Sequence, residues 1–261
     1  MLKGMRTAAS GMVAQQMNVD NIANNLANVN TTGFKRSKLE FQDVLYQNFR
    51  RAGSTTAIGA QVPTNLAIGY GTRAVATVRD YTSGDLILTG NPLDLSISGT
   101  GFFQIILPDG SFNYTRDGAF KLTAEGRIVT SDGFFLEPEI TIPQDATQIS
   151  IGIDGEVTVL LVGEDIPQSL GQLELARFIN PAGLNAVGRN LFTISSASGL
   201  PIVGNPSRDG LGKIDQGYLE LSNVKVVDEM VNMIVAQRAY EINSRTIKTS
   251  DEMAQIINNL K

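Results

Sequence analysis

The 261-residue chain contains no cysteine, no histidine and no tryptophan. Without thiolate or imidazole, the ligands of structural zinc, copper and iron–sulfur sites are missing, and only oxygen donors remain for a hard cation. Cysteine nucleophiles and imidazole bases are excluded with them. No disulfide can form, so redox chemistry does not indicate a compartment. Positive charge is also scarce: 21 Lys and Arg stand against 26 Asp and Glu, a net charge of −5. Long-range electrostatics therefore disfavour nucleic acid and anionic lipid. The small basic group Lys35, Arg36 and Lys38 reads as a solvated boundary rather than a phosphate patch. No stretch reaches the roughly 18 apolar residues that span a membrane, and the N-terminus MLKGMRTAASGMVAQQM is a poor secretory signal because glutamines interrupt its short apolar run.

What is present falls into a helical head, a β-rich body and a helical tail. In the head, Met5, Met12, Val19 and Leu26 recur at sevens, with Ala8, Ile22 and Val29 three residues on. That is a heptad seam. Asn18, Asn21, Asn25 and Asn28 form a second stripe, and asparagine is a weak helix former, so an uncharged amide stripe points to a second buried face. The plainer alternative is a polar segment that frays. Asn-Thr-Thr-Gly at 30–33 supplies the stop. The tail, from about Val224 to Leu260, repeats the pattern with Val226, Met233, Tyr240, Ile247 and Ala254 at sevens and further apolar residues elsewhere around the helix. Ser222-Asn223 offers its N-cap.

The body, from about Leu66 to Tyr218, is a series of short strands. Leu93, Leu95 and Ile97 alternate with Asp94, Ser96 and Ser98, and Ile149, Ile151 and Ile153 alternate with Ser150 and Gly152. Asp154-Gly155 reads as a two-residue hairpin, and Pro108-Asp109-Gly110 and Ser131-Asp132-Gly133 as similar turns. The aromatics Phe102, Phe103, Phe112, Tyr114, Phe120, Phe134 and Phe135 read as core. Residues 46–65 are small and polar without a period, hence a loop or linker, though long for an idle one. Gly69-Tyr-Gly71 and Gly99-Thr-Gly101 lack the strand and helix context of a nucleotide loop and read as turns or bulges. An acid pair drawn from Asp94, Asp117, Glu137 and Glu139 is the one enzymatic arrangement still open, since two carboxylates suffice for glycoside hydrolysis. Nothing in the spacing demands it. No catalytic, metal or cofactor site is expected.

The string Ile22-Ala23-Asn24-Asn25-Leu26-Ala27-Asn28-Val29, followed by Thr32-Gly33-Phe34-Lys35, resembles the N-terminal signature of the bacterial flagellar rod and hook family. Ser222-Asn223-Val224, Glu229-Met230-Val231-Asn232-Met233-Ile234 and Gln237-Arg238-Ala239-Tyr240-Glu241 resemble its C-terminal signature, and Gly101-Phe102-Phe103, Tyr114-Thr115-Arg116-Asp117-Gly118 and Asp132-Gly133-Phe134 its central domain. The resemblance covers essentially the whole chain. It implies an α+β multidomain fold: terminal helices (1–30 and 224–261) forming a discontinuous coiled-coil domain, extended connections (31–65 and 212–223), and a mainly antiparallel β body (66–211).

It further implies an axial structural subunit in the flagellar basal body, spanning the periplasm and exported through the flagellar type III apparatus without a cleavable signal. Expected partners are copies of itself, neighbouring proximal rod and hook-junction subunits, and the surrounding outer-membrane and peptidoglycan ring proteins, with no nucleic acid and no membrane insertion. The expected packing residues are Met5, Met12, Val19, Ile22, Asn25, Leu26, Asn28 and Val29 in the head and Val226, Met230, Met233, Ile234, Tyr240, Ile247, Ile256 and Ile257 in the tail. Residues 46–63, with Tyr46, Phe49, Arg50, Arg51 and Pro63, look like the insertion that stiffens rod-type members and is missing from the hook type.

Overall fold

A computed structural model describes residues 2–53, 63–163 and 166–259. The chain divides into two compact units. One comprises residues 1–27, 37–78 and 225–261, the other 28–36 and 79–224. The boundary expected at 65/66 therefore falls within the first unit, and residues 28–36 belong to the second.

The first unit contains both long helices, α1 (Leu2–Ala27) and α2 (Val226–Asn259). Contacts between Asn25 and Glu229 and between Gly11 and Asn243 show that the two run antiparallel. A Cβ on Gly11 would lie 2.8 Å from the Asn243 amide nitrogen, so glycine permits the close approach. α2 turns Glu229, Met233, Ala236, Ala239, Asn243, Ile247, Ser250 and Ala254 inward, at spacings of three and four. Asp228 and Glu229 in its first turn suit the positive end of the helix dipole. α1 ends at Ala27, because Thr31 N–H turns back to the Asn28 carbonyl and Gly33 takes a φ of 66°. Asn28 and Val29 thus lie beyond the helix, which stops earlier than the 30–33 signal suggests.

The same unit holds a two-stranded ribbon. Ser37–Asp43 pairs with Thr72–Arg79, and Tyr46–Arg50 pairs with Leu66–Gly69 in the register Tyr46↔Gly69 and Gln47↔Ile68. Residues 46–50, expected as a loop from their polar composition, are a strand, because the backbone ladder asks for a partner strand and not for apolar side chains. The middle of the expected insertion, 54–62, lies outside the described residues, as does Leu260.

In the second unit, the described residues form a nine-stranded sheet that runs Asn185–Gly188, Leu191–Thr193, Phe112–Thr115, Phe102–Ile106, Phe135–Glu137, Ile128–Val129 and Lys121–Leu122, with Leu175–Arg177 and Ile202–Gly204 branching from Phe102–Ile106. A three-stranded sheet of Ala146–Ile151, Glu156–Leu161 and Gln168–Gln172 accompanies it. All the described pairings of both sheets are antiparallel.

One turn recurs in this unit. Glycines 110, 126, 133 and 155, with φ from 80° to 86°, each donate back three residues, and the flanking residue bonds across the turn, as in Leu107 N–H to the Ser111 carbonyl and Gly152 N–H to the Glu156 carbonyl. Only glycine takes that conformation without strain. The turn at Asp154-Gly155 is consequently a residue longer than the expected two-residue hairpin.

The core has two parts. Phe103 and Phe120 meet edge to face at 5.1 Å among aliphatic side chains that include Leu95, Ile97, Leu136 and Val157. Phe102, Tyr114, Phe178 and Phe192 form the second cluster, with Tyr81 packed against it. Phe112, expected inside, is exposed at the start of its strand. Strand Leu95–Ser98 is covered on both faces, so Ser96 is buried, not solvent-facing as simple alternation implies.

Candidate assembly surface

A surface made for association shows as apolar side chains that the chain's own fold leaves open. In α2 only Glu229, Ala236 and Ser250 are fully buried among its described side chains. Val227, Val231, Ile234, Val235 and Ile242 point away from the α1 seam, with Val227 72% and Val235 62% exposed. Met230, Ile256 and Ile257 are also exposed, as are Val13 and Met17 on α1. Since these side chains are already part-covered, hiding the rest is worth about 1 kcal/mol each. Summed over a helix, that decides whether it stays paired.

Not every expected packing residue lies on this open face. Ile22 and Asn25 are buried within the first unit, and Met5, Met12, Val19, Leu26, Met233 and Ile247 are half-buried. Val226 and Tyr240 are exposed. Asn28 accepts a hydrogen bond from Thr31 Oγ1 at 3.2 Å in the second unit, where Val29 is half-buried. Val227, Val231 and Ile242 are among the apolar residues that lie off the sevens of the tail, and the residues missed by sequence reasoning are Val13, Met17 and Val235, whose signal was the same offset track.

The amide stripe of α1 has a partner in its own chain. Asn25 Nδ2 donates to the Ser37 carbonyl at 2.8 Å while Ser37 N–H donates to Asn25 Oδ1 at 2.9 Å. Asn21 Nδ2 also donates to the Ser37 carbonyl, at 2.9 Å, and Ser37 Oγ donates to Asn21 Oδ1 at 2.5 Å. Asn25 Nδ2 further reaches Glu229 Oε2 at 3.3 Å, so one amide joins α1, the ribbon and α2. Satisfied buried polar networks of this kind set register.

The ribbon adds to the open surface. Phe41, Leu45, Tyr46, Phe49, Leu66 and Ile68 are exposed, Leu45 by 81%. Lys3 donates to Gln47 and lies over the Phe49 ring at 5.2 Å, tying this part of the ribbon to the start of α1. Arg50, Arg51 and Pro63 are exposed beside the undescribed stretch.

Three of the four acidic candidates are held by partners within the fold. Asp94 accepts from Thr89 Oγ1 at 2.6 Å and Asn91 Nδ2 at 2.9 Å, and Asp117 from Thr32 Oγ1 at 2.7 Å. Glu139 pairs at 3.8 Å with Arg127, and Glu137 is half-buried in strand Phe135–Glu137. Two sequence readings need correction. Lys35 is 1% exposed, not solvated, and bonds to Glu220 inside the second unit. Asn223 does not cap α2: its side chain accepts from Arg36 N–H at 2.7 Å and donates to the Asp80 carbonyl at 2.9 Å.

Two long helices with open apolar faces around a β-rich middle define the class of axial subunits of the bacterial flagellum, and three family models agree. The flagella basal body rod protein model matches residues 5–35, the flagellar hook protein FlgE/F/G D1 domain residues 96–159, and the flagellar basal body rod FlgEFG protein C-terminal model residues 215–260.

The flagellar basal-body rod protein FlgG of Borreliella burgdorferi is 50% identical over 263 residues, spanning 100% of this chain and 99% of its own length. That of Caulobacter vibrioides is 48% identical over 261 residues, with both chains covered in full. The flagellar hook-basal body complex protein FlhP of Bacillus subtilis is 30% identical over 273 residues, again with both covered in full. The chain belongs to the FlgG-type flagellar basal-body rod proteins.

Proposed function

We propose that this chain is the subunit of the flagellar distal rod, polymerising into a rigid helical tube that carries torque from motor to hook and conducts exported subunits through its lumen. The observation that carries this reading is the apolar face left open on α1, α2 and the ribbon of the first unit. A tube needs heterologous contacts that repeat without closing, and torque needs many of them in parallel. The exposed members of the expected set, Val226, Met230, Ile234, Tyr240, Ile256 and Ile257, serve here, joined by Val13, Met17, Val227, Val235 and Ile242. The β body faces outward. Neighbours along the axis are proximal rod and hook-junction subunits, and around it the outer-membrane and peptidoglycan ring proteins.

The subunit crosses to the periplasm through the flagellar type III apparatus, and it has no catalytic role. Among the described residues no helix is long and apolar enough to cross a membrane. With so few residues of α2 buried, the terminal helices of the dilute subunit are marginal and order on docking. Circular dichroism of the dilute subunit should show less helix than the assembled form.

The reading within the family rests on residues 46–63. Their deletion should turn a straight polymer into a bendable one, as seen by electron microscopy, and an unchanged straight polymer would count against the distal-rod reading over that of another axial subunit. Incubation with peptidoglycan separates a structural subunit from an acid-pair hydrolase: no fragments should be released, and release abolished by substituting Asp94 or Asp117 would overturn the structural reading.

A further inference from the structure

The second unit holds a buried group of charges that a stable fold does not require. Lys35 Nζ lies 2.6 Å from Glu220 Oε1 and 2.7 Å from the Thr82 carbonyl. Gly84 N–H donates to the same Glu220 oxygen at 3.0 Å. Arg116 approaches Glu220 Oε2 at 3.6 Å and donates to the carbonyls of Ile97 at 3.1 Å and Gly99 at 2.6 Å. The three side chains are at most 3% exposed. Five separated stretches of chain, around residues 35, 82–84, 97–99, 116 and 220, therefore meet in one charged knot. The backbone follows the same path, with Gly33 N–H donating to the Glu220 carbonyl at 2.8 Å and Leu221 N–H to the Asp85 carbonyl at 2.8 Å.

Two cations share one carboxylate here, and among the described residues Arg116 Nε and Glu220 Oε2 make no hydrogen bond. Burial outweighs the pull of Glu220 on Lys35 and holds its ammonium below the ordinary lysine range. Such a group stabilises a fold less than well-packed apolar side chains of the same volume would, yet removing one member leaves an uncompensated buried charge. Its distinctive property is conditionality: each stretch is tolerable inside only when the others are in place.

We infer that Lys35, Arg116 and Glu220 form a clasp that makes the second unit open and close as one body, its first segment (28–36) and its last (213–224) included. A chain whose residue 220 has not arrived would have to bury Lys35 and Arg116 without their counter-charge, so the body stays open until the strand Tyr218–Glu220 docks. The clasp thus guards against partial folding around an incomplete chain.

Hydrogen exchange on the full-length protein tests this. In the wild type, amides in 28–36, 95–99, 113–117 and 213–222 should exchange through one common opening with the same dependence on denaturant. Glu220→Gln should accelerate all of them by a shared factor of about 100 or more. The triple variant Lys35→Met, Arg116→Met, Glu220→Leu should remain folded, with body amides at least as protected, while 28–36 and 213–222 exchange through a separate, faster opening. Terminal segments that already exchange independently in the wild type would overturn the inference. So would a triple variant that keeps the single common opening.

Discussion

The side-chain amide of Asn25 pairs with the backbone of Ser37 in both directions, donating at 2.8 Å and accepting at 2.9 Å. A side chain here does the work of a neighbouring β-strand. Because Asn25 is 1% exposed, no water can replace it. Asn25→Leu leaves the Ser37 N–H and carbonyl short of partners at a cost of about 1–3 kcal/mol. Sedimentation should find the minimum concentration for polymer formation raised about 10- to 100-fold.

Charge on the open face should act differently from charge in the seam. Val231→Asp places a carboxylate on the face that the fold leaves exposed, so melting of the second unit should be unchanged while polymer formation fails. Ala236→Asp forces a carboxylate into the buried contact with α1 and should lose helical signal as well. Circular dichroism paired with electron microscopy distinguishes the two.

Two glycines of the second unit should respond unequally to alanine. At Gly118 a Cβ would sit 1.6 Å from the Leu95 carbonyl oxygen, so the backbone must move, and the loss should be about 3 kcal/mol or more. At Gly133 nothing lies within 4 Å, and only the positive φ of 84° is strained, for a loss of about 1–2 kcal/mol. Chemical denaturation of the purified variants gives both values.

Lys35 also predicts a pH dependence. Its folded-state ammonium gives up its proton more readily than the 10.5 of an ordinary lysine, chiefly through burial, with Arg116 acting in the same direction and Glu220 and Asp80 opposing. As pH rises toward 10.5 the unfolded chain holds more protons than the folded one, so this group's contribution to stability rises in that window. Deprotonation leaves one cation, Arg116, against one carboxylate. Lys35→Met should remove that rise, read as the change in urea midpoint between about pH 8 and pH 10 in the two proteins.

The helices were legible because sevens in Met5, Met12, Val19 and Leu26 survive any detail of packing. The asparagine stripe was legible as a covered face, but its cover at Asn21 and Asn25 is Ser37 of the same chain, a pairing that depends on how the chain returns after Gly33. The strand Tyr46–Arg50 was hidden because its side chains are exposed and the ladder is made by backbone alone. Lys35 was misread for a related reason. Burial alternates through Gly33, Lys35 and Ser37 as in a strand, but a lysine at a core position is credible only once Glu220, far away in sequence, is known to face it.

The absence of cysteine from the chain makes the central claim, that the open apolar face of α2 is covered by neighbouring subunits, directly measurable. A single thiol introduced as Ile234→Cys, on a side chain 56% exposed in the lone subunit, can be labelled without background. The account predicts rapid labelling of the dilute subunit and protection of about 100-fold or more once the polymer has formed. Equal labelling rates in subunit and polymer would contradict it.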